Sequence, residues 1–196
     1  MAAQRKPSLQ VQRTRCISSL CALACVIIAF LGWAPIPCGA QTGTQHEYEL
    51  KAGVLYHIIE YVQWPTTALS NNPTAIQIGL LGEIPFADAL EVLNGKTIQG
   101  RELMVKHVSD AQAAASCQVL FISASEKTRI SEIVAMLKDH PVLTVSEIEG
   151  FVEQGGMVNL IAGPNRIVME INREVAGKAR LSMSSQLLKL AKVFPR

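Results

Sequence analysis

From residue 47 onward, Leu50, Val54, Leu55, Ile58 and Val62 recur at the three-to-four spacing that gathers apolar side chains on one face of a helix. The pattern predicts a helix over 47–63. Glu47 and Glu49 fall in its first turn, where the helix dipole favours acids. Trp64-Pro65 ends it, because the residue before a proline is pushed out of the helical region. A loop over 66–74, rich in turn formers, leads to an alternating run at 75–81 in which Ile76, Ile78 and Leu80 share one face of a strand. Pro85 suits the first turn of a helix reaching Leu93, with Gly95 as its C-cap. A strand over 102–108 follows, then an Ala-rich helix over 111–115 capped by Asp110.

The run 118–122 is apolar from Val119 onward, as expected of a strand covered on both faces. Ser123 and Glu126 have the spacing of a capping box for the next helix, whose buried stripe is Ile130, Ile133, Val134 and Leu137. Another strand is predicted over 142–146. Segments 157–161 and 166–171 flank Gly163-Pro164-Asn165 and read as a hairpin. Two helices, 173–179 and 183–193, close the chain. Strands alternating with helices predict a single α/β domain. Its sheet is mixed but mostly parallel, with about six strands and helices on its flanks.

Upstream of residue 47 the pattern is different. Arg13 and Arg15 close a positively charged segment, 16–33 is apolar, Pro35 and Pro37 break it, and Cys38-Gly39-Ala40 ends it with small residues. That order predicts an export signal over 1–40, a polar linker over 41–46 and a folded domain over 47–194. The competing reading is an uncleaved anchor, since 16–33 is barely long enough to span a bilayer. Both readings put the domain outside the cytoplasm, the anchor by the positive-inside rule.

Composition narrows the function. The chain of 196 residues is 49% hydrophobic and 17% charged, enough apolar surface for a packed core. Its net charge of +2 is carried by the leader. With Arg5, Lys6, Arg13 and Arg15 set aside, the 18 Lys and Arg fall to 14 against 16 Asp and Glu, a net of −2. A mildly acidic domain with no basic run is not expected to bind nucleic acid, which needs clustered Lys and Arg. Four of the five cysteines lie in the leader, so Cys117 has no partner for a disulfide within the domain. Just ahead of the apolar run 119–122, it is expected to be buried.

Catalytic and cofactor motifs are missing from the sequence. His46, His57, His107 and His140 have no metal-ligand spacing, and no phosphate-binding glycine loop or G-x-S-x-G turn occurs. No metal or cofactor is expected. Glu147 and Glu149 read as solvated loop carboxylates, because an acid–base pair needs surroundings that split the two pKa values. The chain therefore reads as non-enzymatic. Binding has better candidates. Tyr61, Trp64 and Pro65 put large side chains at a helix end, either as a plug for the core or as an exposed anchor for a partner. A parallel sheet also offers a crevice at the carboxyl ends of its strands, where Gly82, Glu83, Ser123 and Ser125 fall. Gly155-Gly156-Met157 permits a close backbone approach, or simply a tight turn. Ser184-Ser185-Gln186 stands where a helix cap or an anion contact would.

Several segments together resemble the YfiR-like periplasmic proteins (DUF4154). They are Glu47-Tyr48-Glu49-Leu50-Lys51-Ala52 through Val62-Gln63-Trp64-Pro65, Gly79-Leu80-Leu81-Gly82 with Pro85-Phe86, and Gly95-Lys96-Thr97. Cys117 to Ser123, Pro141 to Val145, Gly155-Gly156-Met157, Glu170-Ile171-Asn172 and Ser184 to Leu188 follow in the same order. The resemblance spans about 47–194. It implies a periplasmic α/β protein that binds and represses the periplasmic sensor domain of a membrane signalling enzyme. That enzyme is expected to be an inner-membrane diguanylate cyclase, whose cyclic di-GMP controls biofilm formation. It further implies an outer-membrane lipoprotein that titrates the repressor away, and a homodimer. The alternative is a periplasmic small-ligand module serving a sensor histidine kinase. The family's best-known member has disulfides; with Cys117 alone, this domain departs from it there.

Overall fold

The structure, a computed structural model, describes residues 41–70, 72–163 and 166–194. The expected leader over 1–40, and Pro164 and Asn165 of the expected hairpin turn, lie outside them. Helix α1 (Gln41–Glu60) leads to a two-residue strand β1 (Val62–Gln63) and one helical turn, α2 (Thr66–Leu69). Then come β2 (Ala75–Leu81), α3 (Ala87–Glu91), β3 (Thr97–Ile98), β4 (Arg101–Val108), α4 (Ala111–Ala114) and β5 (Val119–Ile122). A 3₁₀ segment (Ala124–Arg129) runs into α5 (Ile130–Leu137), followed by β6 (Leu143–Ser146), β7 (Val158–Ala162) and β8 (Ile167–Asn172). The chain continues through α6 (Arg173–Lys178), β9 (Ser182–Met183), α7 (Ser185–Leu190) and β10 (Ala191–Phe194).

Eight strands form one sheet in the order β10-β8-β7-β6-β5-β2-β4-β3. Strands β4, β2, β5, β6 and β7 run parallel. Strand β8 is antiparallel to β7, β10 is parallel to β8, and β3 is antiparallel to β4. The mixed, mostly parallel sheet is as expected. It exceeds about six strands because β3 and β10 extend its two edges. The central strands β2, β5 and β6 are buried on both faces, which is why 119–122 is apolar without alternation. On one face, Leu55, Ile58 and Ile59 of α1 and Leu90 of α3 pack on Ile78, Leu80, Phe121 and Val145. On the other, Ala111 and Ala114 of α4 and Ile130, Ile133 and Leu137 of α5 pack on Leu120 and Ile122.

Four expectations are corrected. The segment read as a polar linker, 41–46, is part of α1. That helix ends at Glu60, ahead of Gln63, because tertiary bonds take over its last carbonyls. Gln99 Nε2 donates to the carbonyl of Glu60 at 2.8 Å and of Val62 at 3.4 Å, and β1 pairs with β9. The helix expected over 183–193 is β9, α7 and β10. Pairing of 191–194 with β8 gives the outer edge of β8 hydrogen-bond partners, which a longer helix would leave without them. Finally, Ser123 and Glu126 form no capping box. Ser123 Oγ accepts from Ser125 N at 3.3 Å in a 3₁₀ turn, while Glu126 pairs with Arg129 at 3.1 Å.

Candidate functional site

Parallel strands β2 and β5 are adjacent although β4 intervenes in sequence, so the chain reverses its winding direction between them. The carboxyl ends at such a reversal are where α/β sheets open a crevice. Gly82, Glu83, Ser123 and Ser125 do converge here, but they satisfy one another. Glu83 N donates to Ser125 Oγ at 3.0 Å, and Ser123 Oγ donates to the Glu83 carbonyl. Gly82 has a φ of +86°, and a Cβ on it would lie 2.4 Å from Ser125 Oγ. The glycine is thus required twice, by its backbone angle and by the serine against it. A ligand entering at this point has to displace hydrogen bonds the protein already makes.

Beside this junction lies a cluster that the sequence reading did not single out. Lys51 of α1 is 5% exposed. Its Nζ stands 2.6 Å from Glu47 Oε1 and 2.6 Å from Glu147 Oε2, just past the end of β6. The ammonium lies 5.2 Å from the Phe86 ring centroid and 5.7 Å from that of Tyr48, and those two rings stack at 5.0 Å. Phe86 meets Phe121 edge-on at 5.3 Å, which ties the cluster to the core. Burial alone would lower the lysine's pKa. The hydrogen bonds that Lys51 donates to Glu147 and Glu47, together with the negative charges of those carboxylates, outweigh it and raise the pKa above the ordinary lysine value. Glu147 is therefore an ion-pair partner rather than the solvated loop residue expected, whereas Glu149 is exposed. One signal was legible: Lys51 stands four residues before Leu55 and seven before Ile58, on the apolar stripe itself.

The other end of α1 carries Tyr61, Trp64 and Pro65. Trp64 is 9% exposed, and its Nε1 donates to the Gln118 carbonyl at 3.0 Å. The exposed-anchor reading of Trp64 gives way to the core plug, because its ring packs in the main core and its single polar atom is satisfied inside. Tyr61 and Pro65 are half-buried at the surface. Between α1 and α3 runs a groove of about 470 Å³, with Ala52, Gly53, Tyr56, Ala89 and Val92 along it and Glu49, Asp88, His57 and Lys96 at its margins. Gly53 sits in the helix interior, yet a Cβ there would meet nothing within 4 Å. Val92 is 64% exposed.

The remaining candidates are structural. Cys117 is buried, and burial pushes its thiol pKa up although the Lys106 ammonium pulls the other way. Ser184 caps α7 by accepting from Leu187 N at 3.2 Å. Gly156 lies flat against Phe151, where a Cβ would come within 2.2 Å of the ring. Among the described residues no three His, Cys, Asp or Glu are grouped so as to hold a metal ion, and no helix is long and apolar enough to cross a membrane.

Two comparisons bear on this architecture. The crystal structure of a conserved domain protein from Vibrio cholerae O1 biovar eltor superimposes with a TM-score of 0.54 at 11% sequence identity, over 74% of this chain. The match spans 59% of that protein's length, and at this identity it speaks to the fold alone. The family model described as YfiR/HmsC-like (DUF4154) matches residues 48–192, from the first turns of α1 into β10. On that match the chain belongs to the YfiR/HmsC-like family.

Proposed function

We propose that this chain is a periplasmic regulator that represses a membrane signalling enzyme by docking onto its periplasmic sensor domain, the enzyme being an inner-membrane diguanylate cyclase. Membership of a regulatory family supports the general role. The docking surface is the α1–α3 groove, extended along α1 towards Tyr61 and Pro65. Gly53 is the observation that carries this choice. Glycine inside a helix costs about 1 kcal/mol relative to alanine. Nothing within 4 Å of the missing Cβ requires that cost, so packing inside the chain does not account for the residue. A partner whose apolar ridge or backbone approaches α1 closely does account for it, in the manner of a helix laid into a groove.

Repression then works by differential affinity. The regulator binds an inactive state of the sensor domain better than an active one and shifts the population. Turning such an equilibrium from one side to the other takes about 5.5 kcal/mol, within reach of a few buried anchors. Release through an outer-membrane lipoprotein would compete for the same groove, and a homodimer formed through it would have to open first.

The test separates contact from folding. Gly53→Leu fills the groove without entering the core. It is expected to leave the melting temperature within a few degrees of wild type, to abolish binding to the isolated sensor domain, and to raise cyclic di-GMP to the level of a deletion strain. Wild-type repression by Gly53→Leu removes the groove from the interface. A deletion strain with unchanged cyclic di-GMP removes the cyclase.

A further inference from the structure

A second hollow, of about 300 Å³, lies between α5, α6 and the loop 149–156, at the amino end of β6. Val134, Leu137, Met157 and Val175 provide its apolar walls. The loop wall is fixed in place. Gly156 N donates to the Phe151 carbonyl at 2.9 Å, Asn172 Nδ2 to the Val152 carbonyl at 3.1 Å, and Met157 N to Thr144 Oγ1 at 3.1 Å. Gly155 has a φ of +93°, and a Cβ on it would lie 3.1 Å from Val134 Cγ1, so a side chain there would intrude on the wall. The space is therefore kept open by Gly155 and held before any ligand arrives, as small-molecule sites are.

The charged side chains of its lining are two lysines. They are Lys138 and Lys178, and no Asp or Glu is among the lining residues. Lys178 is engaged by Glu174 at 2.6 Å, an exposed pair worth little to either residue. Lys138 has no carboxylate within ion-pair distance among the described residues. The α1–α3 groove differs, since Glu49 and Asp88 share its lining with Lys96. A volume of 300 Å³ is about ten times the ~30 Å³ share of one water molecule, room for a chain of about ten heavy atoms.

We infer that this hollow binds a small amphiphilic monocarboxylate of the medium-chain fatty-acid type, its tail between Val134 and Val175 and its carboxylate at Lys138. The site lies away from the α1–α3 groove and stands whether or not that groove docks a partner. Calorimetric titration of the purified protein with octanoate, octanol and octylamine tests it. Octanoate should bind saturably at one site, and octylamine at least tenfold more weakly. Lys138→Met, a surface change, should weaken octanoate at least tenfold and leave octanol unchanged. Val134→Trp, checked for native circular dichroism, should abolish both. Absence of saturable octanoate binding, equal affinity in wild type and Lys138→Met, or octylamine bound as tightly as octanoate would each overturn the assignment.

Discussion

Lys51 stands on the helical stripe where an aliphatic side chain would serve the core, and it survives there because two carboxylates and two aromatic rings surround it. Removing one member of a fully buried pair costs about 3–5 kcal/mol. Glu47 and Glu147 retain some solvent, so Lys51→Met is expected to cost about 2 kcal/mol at neutral pH, below that range. The pH dependence has a definite sign. The folded-state pKa lies above the ordinary lysine value of about 10.4. The lysine's stabilisation is therefore complete below that value and lost as the pH rises through the folded pKa. Urea denaturation of wild type and Lys51→Met should show a gap at pH 7 that narrows above about pH 10.4. A gap of constant size across that window would refute the ion-pair account. Trp64 teaches a related point. Its truncation would empty part of the core and take one of the two hydrogen bonds of the Gln118 carbonyl, leaving that from Leu143 N, so lost function in Trp64→Ala would report unfolding as readily as a lost contact.

Among the elements, β10 has the most to do for its length. It is an edge strand of four residues, parallel to β8, with Val193 opposite Ile171. Lys192 pairs with Glu170 across the same ladder at 2.5 Å, and a charge on an edge strand discourages pairing with other chains. Val193→Pro deletes a ladder donor and fixes φ where the strand needs freedom. It should release the β8 amides that face β10 to hydrogen exchange and leave those of β2 and β5 protected. Unchanged protection in β8 would mean that β10 is dispensable. The strand's helical look in sequence is intelligible. Leu187, Leu188 and Leu190 continue a helical spacing into Ala191, and nothing local announces the break after Leu190. The partner strand lies some twenty residues upstream, so the choice of strand over helix is made by pairing rather than by propensity.

For the molecule as a whole, the two faces of the sheet are sealed by separate cores, and no covalent cross-link joins them within 41–196. Cys117 is the one cysteine of that stretch; it is buried, and burial holds its thiol protonated. A domain carrying residues 41–196 should therefore melt at the same temperature with and without a reducing agent, and a thiol reagent should label it only as it unfolds. A reductant-sensitive melting temperature would show that Cys117 is reachable from outside and forms bridges between chains. Redox control of the kind that internal disulfides permit thus has no basis in this domain. On the functions proposed above, regulation falls to the α1–α3 groove and to the hollow between α5 and α6.

Sequence by itself determined the strands 75–81 and 119–122, the apolar stripe of α5, the Asp110 cap and the α/β class, because each rests on periodicity or on a hydrogen bond within a few residues. It also determined the family, through segments spread along the whole domain. Tertiary structure decided what depends on distant neighbours. Residue 147 becomes a partner for Lys51 because β6 delivers it there. Trp64 is drawn inward by the Gln118 carbonyl, the crevice residues at 82–83 and 123–125 close on one another, and 191–194 become a strand because β8 offers an edge. The physical reason is the same in each case: a contact between residues far apart in the chain has no local pattern to announce it, and the energy that settles it appears only when the sheet has brought them together.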